Sequence, residues 1–109
     1  MQEPIEFVIR VGRPDTAETV REYAARRLAF ALRRFAHRVR RVKLCLVDLN
    51  GPRRGVDSRC SIIVDLVDGR RVFVDATTAW PFESVTRAAG RLNALVRREC
   101  SRAASHRGT

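Results

Sequence analysis

Arginine is the residue type in this chain whose spacing points to a chemistry. Arg26 and Arg33 stand seven apart, as do Arg27 and Arg34, and Arg87, Arg91 and Arg98 follow at steps of four and seven. On a helix those steps place guanidinium groups of like sign over one another. A solvated helix face normally mixes signs, because opposite charges at i,i+4 gain a few tenths of a kcal/mol and like charges lose as much. An external anion offsets that loss, and the planar guanidinium fork fits phosphate in two-point contacts. From Arg26 to Arg59 eleven bases face only Asp48 and Asp57, and from Arg87 onward six bases face Glu99 alone. The chain carries 22 Lys and Arg against 12 Asp and Glu, a net charge of +10, and Lys43 is its only lysine. Such an excess on a small domain predicts a polyanionic partner.

Other chemistries find little support. His37 stands among Arg34, Arg38, Arg40 and Arg41, where it ends a helix or touches phosphate rather than acting as a base; His106 lies in the tail. Cys45, Cys60 and Cys100 form no CxxC and no spaced ligand set, so neither a metal nor a cofactor is expected. Cys45, beside Lys43, reads as packing rather than as a reactive thiol. A nucleophile needs an activating base and the base an orienting partner, and no such set is present. No Walker-type phosphate loop occurs. The chain therefore reads as a binding protein with no catalytic residues. Met1 is followed by Gln2-Glu3-Pro4, not by a secretory leader. With an odd number of cysteines, this indicates a reducing, cytoplasmic setting. No apolar run approaches a membrane span.

The elements that must position these bases follow from periodicity. The 109 residues match one domain, with an ordered core over about 5–101 and a tail over 102–109. Ile5, Phe7, Ile9 and Val11 alternate with Glu6, Val8 and Arg10 in a first strand over about 5–11. Asp15, three before Glu18, opens a helix over about 16–36 in the manner of a capping box. Its stripe is Ala17, Val20, Ala24, Leu28, Ala31, Leu32 and Phe35. Val42, Leu44 and Leu46 mark a second strand over about 40–49, and Cys60, Ile62, Val64 and Leu66 a third. Asp68-Gly69 signals a two-residue hairpin turn, and Val72, Val74 and Ala76 carry a short fourth strand. Pro81 opens a last helix to about residue 101, with Phe82, Val85, Ala88, Ala89, Leu92, Leu95 and Val96 as its stripe.

The order β-α-β-β-β-α, with one apolar side per strand and one stripe per helix, gives an α+β two-layer sandwich. It has a four-stranded mixed sheet with both helices on one face. The other face, with Arg10, Lys43, Cys45, Arg59, Ser61, Asp65 and Arg71, meets water. Arg26 and Arg33 fall opposite the first helix's stripe, with Arg27 and Arg34 on its flank beside Tyr23 and Phe30, which face the second helix. Arg87, Arg91 and Arg98 share an outward stripe, with Arg97 nearby. The two stripes are expected to merge into one basic face, which Arg53 and Arg54 extend at one end. Trp80 is expected in the core, and Gly90, unfavourable in mid-helix, at a place of close packing.

Two segments resemble a known family. Val20-Arg21-Glu22-Tyr23, running on through Arg26-Arg27-Leu28 to Leu32-Arg33-Arg34-Phe35, resembles the "LREY…KKL…LERYF" helix of the ribosome hibernation promoting factors. These proteins are also called ribosome-associated inhibitors or sigma-54 modulation proteins. Asn50-Gly51-Pro52-Arg53-Arg54-Gly55-Val56-Asp57-Ser58-Arg59-Cys60 resembles the "NGPRGGVDKRC" segment of a subgroup, and the element order agrees over about 5–101. The resemblance implies a translation inhibitor that binds ribosomal RNA at the decoding region of the small ribosomal subunit. There it blocks mRNA and tRNA and keeps idle ribosomes silent. It assigns the RNA contacts to Arg26, Arg27, Arg33 and Arg34 and to Arg87, Arg91 and Arg98. Departures are the Ala79-Trp80-Pro81-Phe82 start of the second helix, where the family has an acidic cap, and Gly90. The chain resembles the short form, without the dimerisation domain of long members, and a monomer when free is expected. The alternative is a regulatory protein that binds RNA or DNA generally. A sequence-specific DNA reader needs a helix free to enter the major groove. A base-stacking sheet needs several aromatics, and this open face offers only Phe73.

Overall fold

The computed structural model describes residues 5–12, 17–49 and 57–107. The elements are β1 (Glu6–Val11), α1 (Ala17–Leu32), a single 3-10 turn (Ala36–Arg38), β2 (Val39–Asp48), β3 (Ser58–Leu66), β4 (Arg71–Thr78) and α2 (Pro81–Arg107). One sheet runs in the order β1-β2-β3-β4. β1 pairs with β2 in parallel, and β2, β3 and β4 form an antiparallel meander. The expected α+β architecture is therefore the observed one. Asp15, the proposed first-helix cap, and the Asn50–Val56 part of the loop motif lie outside the described residues.

Register explains the core. Ile9 is opposite Leu44, Leu44 opposite Ile62, and Ile62 opposite Val74, so one apolar row crosses all four strands. Val42, Val64 and Val72 form the row on one side of it, and Leu46, Cys60 and Ala76 the row on the other. All nine of these β2, β3 and β4 residues are buried. Because side chains alternate along a strand, the residues between them must face the other way. α1 lays Val20, Ala24, Leu28, Ala31 and Leu32 on the apolar side, and α2 lays Val85, Ala88, Ala89, Leu92, Val96 and Cys100 beside them.

Four features differ from the sequence expectation. α1 ends at Leu32 rather than near 36, because the chain tightens into i→i−3 hydrogen bonds. The N–H groups of Arg33, Phe35 and Arg38 donate to the carbonyls of Phe30, Leu32 and Phe35. Phe35 packs on the core and pins this turn into β2. α2 runs to Arg107, past the expected end near 101. Ser101 to Arg107 contain neither Gly nor Pro, and Ala and Arg favour helix. The β3–β4 connection is a three-residue loop, Val67-Asp68-Gly69, instead of a two-residue one. Gly69 N–H donates to Leu66 O, Leu66 N–H donates to Arg70 O, and Gly69 takes φ 93°. That is a type I turn closed by a left-handed residue, which glycine adopts without strain.

Trp80 is the fourth difference: it is 65% exposed, not in the core. The Thr78 hydroxyl accepts from Trp80 N–H and donates to Trp80 O, fixing the backbone just ahead of Pro81. Ser84 and Val85 take the buried positions of the first turn instead, and the Ser84 hydroxyl donates to Pro81 O.

Cys45, Cys60 and Cys100 carry free thiols. Cys60 lies in the core, as its register with Ile62 and Val64 requires, and Cys45 on the open sheet face is half-buried. Burial, with the nearby Cys45 thiol second, pushes the Cys60 thiol from 9.0 up to about 12. Between those values the unfolded chain sheds this proton while the native chain keeps it, so rising pH favours unfolding. The contribution is fully present below pH 9 and is lost by about pH 12. Urea unfolding across this window should show a shallower loss of stability for Cys60→Ala than for the wild type. Equal slopes would mean that Cys60 is not the linked group.

Candidate nucleic-acid interface

The end of α1 supplies the first bases. The last four carbonyls of a helix lack intrahelical partners, and here nearby donors meet three of them. Phe30 O accepts from the Arg33 guanidinium at 2.7 Å, Ala31 O from the Asn93 amide of α2 at 2.8 Å, and Leu32 O from the Phe35 N–H. Arg33 and Arg34 follow directly, where positive charge is favoured by the helix dipole. Arg33 also lies over the Phe30 ring, 4.0 Å from its centroid, and Arg27 lies 6.0 Å from the same ring. Both are within the range of cation–π attraction. Arg26 stands 6.0 Å from the Tyr23 ring, further up the helix. Phe30 is 58% exposed, so unlike Tyr23 it is not spent on helix packing.

Contacts between the helices fix where these groups sit. Tyr23 OH is hydrogen-bonded to Thr86 Oγ1, which donates to Phe82 O, and the Tyr23 and Phe82 rings meet edge to face at 5.2 Å. Asn93 closes the other end by its bond to Ala31 O. Around the Asn93 tie lies an open cleft of about 330 Å³, lined by Arg27, Arg33, Arg34 and Arg97 together with Phe30 and Gly90. Among the described residues none of these four arginines has a carboxylate partner. The buried Nε of Arg27 has no hydrogen-bond partner at all.

The bases of α2 divide. Arg87 is paired with Glu83 at 2.9 Å, a partner that the outward stripe concealed because it lies one turn earlier. Arg91 donates to the Asp75 carbonyl of β4 at 2.6 Å. Arg91 and Arg98 line a shallow depression with Phe73, Asp75 and Leu95 at the β4 edge. They therefore lie on the side of α2 away from α1. Arg97, one position before Arg98 and so about 100° round the helix, is the α2 base that joins Arg27, Arg33 and Arg34. Sequence reasoning named Arg97 only as a neighbour; the usable signal was its seven-residue spacing from Gly90, which places both on one flank. Arg53 and Arg54 lie outside the described residues.

The sheet side is electrostatically different. Arg59 pairs with Asp75 at 2.8 Å, Arg71 with Asp65 at 2.7 Å and Arg41 with Glu6 at 2.6 Å. The bound Asp65 raises the Arg71 pKa further. At the hairpin end Arg70 meets Glu99 and Asp68, and Arg38 meets Asp68. Carboxylates thus offset three of the five bases on the sheet face, leaving Arg10 and Lys43, whereas no carboxylate lines the cleft. His37 is exposed on the 3-10 turn, and the described residues hold no cluster of three metal-ligating groups. No described helix is long and apolar enough to cross a membrane.

No family model matches the chain, and no curated protein matches it. Solved structures do. The crystal structure of the Protein Y N-terminal domain from Thermus thermophilus matches with a TM-score of 0.67 and 25% identity, over 88% of this chain and 98% of that one. A ribosomal subunit interface protein from Coxiella burnetii matches with a TM-score of 0.71 over the same shares, and at 11% identity it establishes the fold alone. These neighbours match the hibernation promoting factor family that the helix and loop motifs resemble.

Gly90 has no packing role. A Cβ built there meets nothing within 4 Å, which overturns the expectation of close packing. Its cost in mid-helix, about 1 kcal/mol relative to Ala, buys open space at the cleft. Gly90→Ala should therefore raise stability by roughly 0.5–1 kcal/mol, read from urea unfolding. A loss of stability would show a clash that the structure does not contain.

Proposed function

We propose that this chain is a ribosome-associated inhibitor that binds ribosomal RNA of the small subunit at the decoding region and blocks mRNA and tRNA there. One observation carries the reading: guanidinium groups without carboxylate partners gather between two helices, in a fold shared with a ribosomal subunit interface protein. Phosphate oxygens are the acceptors that such donors fit. Contacts of this kind fix position and affinity without reading base sequence. The location on the subunit then comes from the shape of folded RNA, which two helices lying flat on a sheet can match broadly. In this reading the chain is a single ribosome-binding domain, monomeric when free and cytoplasmic. No catalytic role is proposed for its residues.

The bases have graded roles. Arg27, Arg33, Arg34 and Arg97 form the central contact, Arg26 extends it along α1, and Arg91 and Arg98 grip RNA on the β4 side. Arg87 contributes less, because leaving Glu83 offsets its gain. Arg53 and Arg54, outside the described residues, are proposed to add to the RNA contact.

The test is co-sedimentation with purified small subunits at physiological salt. Arg33→Ala, Arg34→Ala and Arg97→Ala combined should weaken binding by at least about a hundredfold, since hydrogen bonds to charged groups contribute roughly 1.5–3 kcal/mol each. All three side chains are exposed, so the fold should survive. Arg59→Ala with Arg71→Ala should change binding less than about fivefold, because both bases already have carboxylate partners. Retention of the triple variant would overturn the helix-face assignment. Equal displacement of the wild type by bulk RNA and by small subunits would favour a general nucleic-acid binder.

A further inference from the structure

We infer that the cleft between α1 and α2 is a seat for a single nucleotide, held by its phosphate and by its base together. The inference deepens the ribosomal RNA reading and rests on it only for the case in which the nucleotide belongs to an RNA strand. A surface that needs phosphates alone has no use for a hollow; outward guanidinium groups on a convex helix suffice. Here the bases surround a cleft of about 330 Å³, at the small end of the range for small-molecule sites.

Three features suit a nucleotide. The first is charge: Arg27, Arg33, Arg34 and Arg97 converge on the cleft from two elements and the turn between α1 and β2, without a carboxylate among them. Arg27 stands 6.0 Å from the Phe30 ring centroid, which holds its charge at the cleft. The second is a flat surface. Phe30 stays more than half exposed, and the Arg33 guanidinium is fixed over its ring by the bond to Phe30 O. Bases stack on aromatic rings and on guanidinium planes alike. The third is room. Gly90 lines the cleft at a position where a side chain would meet no protein atom, so any larger residue would project into the space instead of packing. A mid-helix glycine that neither turns nor packs is accounted for by the volume it leaves.

The same chemistry can arrive as a free mononucleotide or as a nucleotide splayed from an RNA strand. Adenosine monophosphate and the single-stranded tetramer of adenylate separate the two sources. In amide NMR spectra of the full chain, at least one of the two should shift the Phe30, Gly90 and Asn93 signals saturably. Inorganic phosphate should bind at least about tenfold more weakly, since it lacks the base. Saturation by the monophosphate at micromolar concentration identifies the free ligand; saturation by the tetramer alone identifies the RNA-borne one. Gly90→Leu, with its fold checked by circular dichroism, should weaken either ligand at least about tenfold. Arg97→Ala, an exposed change, should do the same if the leucine variant does not fold. The inference is overturned if neither ligand shifts these signals, if phosphate binds as well as the nucleotide, or if a folded Gly90→Leu binds unchanged. Saturable shifts in a chain that does not sediment with small subunits would leave the cleft standing and remove the ribosomal reading. Sedimentation without such shifts would do the reverse.

Discussion

The apolar row formed by Ile9, Leu44, Ile62 and Val74 is the contact on which the other features depend. It exists because alternating residues of four strands place an apolar side chain at the same register on one side. Burying large aliphatic side chains contributes roughly 1.5–3 kcal/mol apiece. Both helices must come to that one side. Once there, their remaining faces are outward and adjacent, and any charge they carry is brought together. The arginine cleft is thus a consequence of core packing.

The second determinant is where the acids went. Glu6, Asp65 and Asp75 pair with bases on the sheet, and Asp68 and Glu99 do so at the hairpin end. Exposed pairs of this kind contribute little to stability. Their effect is on the field: most of the sheet-face charge is offset, while the interhelical side carries guanidinium groups answered only by rings and backbone carbonyls. A phosphate-bearing partner has one side to prefer, although positive residues occur all round the molecule.

The sequence made the layer plan legible because alternation and helical stripes act over a few residues and survive without tertiary knowledge. Cys60 could be placed in the core and Cys45 on the open face from register alone. What escaped depended on contacts between distant residues. Phe35, at a helical spacing from Leu28 and Leu32, turned the chain early because it packs on the core. Trp80 read as a core residue, yet it lies exposed, its backbone fixed by the Thr78 hydroxyl ahead of Pro81. The pairing of Arg87 with Glu83 and the turn of Arg91 and Arg98 toward β4 split a stripe that looked continuous on a helical wheel. Arg97 and Gly90 gained meaning only when the cleft beside α1 appeared.

The claim that phosphate recognition by the helix-side guanidinium groups drives binding has one direct measurement. It is the affinity of the wild-type chain for purified small ribosomal subunits across a series of salt concentrations. Neutralising phosphates releases counterions, so the logarithm of affinity should fall linearly with the logarithm of salt. For the four cleft arginines on single-stranded or looped RNA the slope should be about −3 or steeper. An affinity that barely changes with salt would contradict the account, since it would mean that apolar or shape contacts carry the interaction and the arginine cleft is incidental.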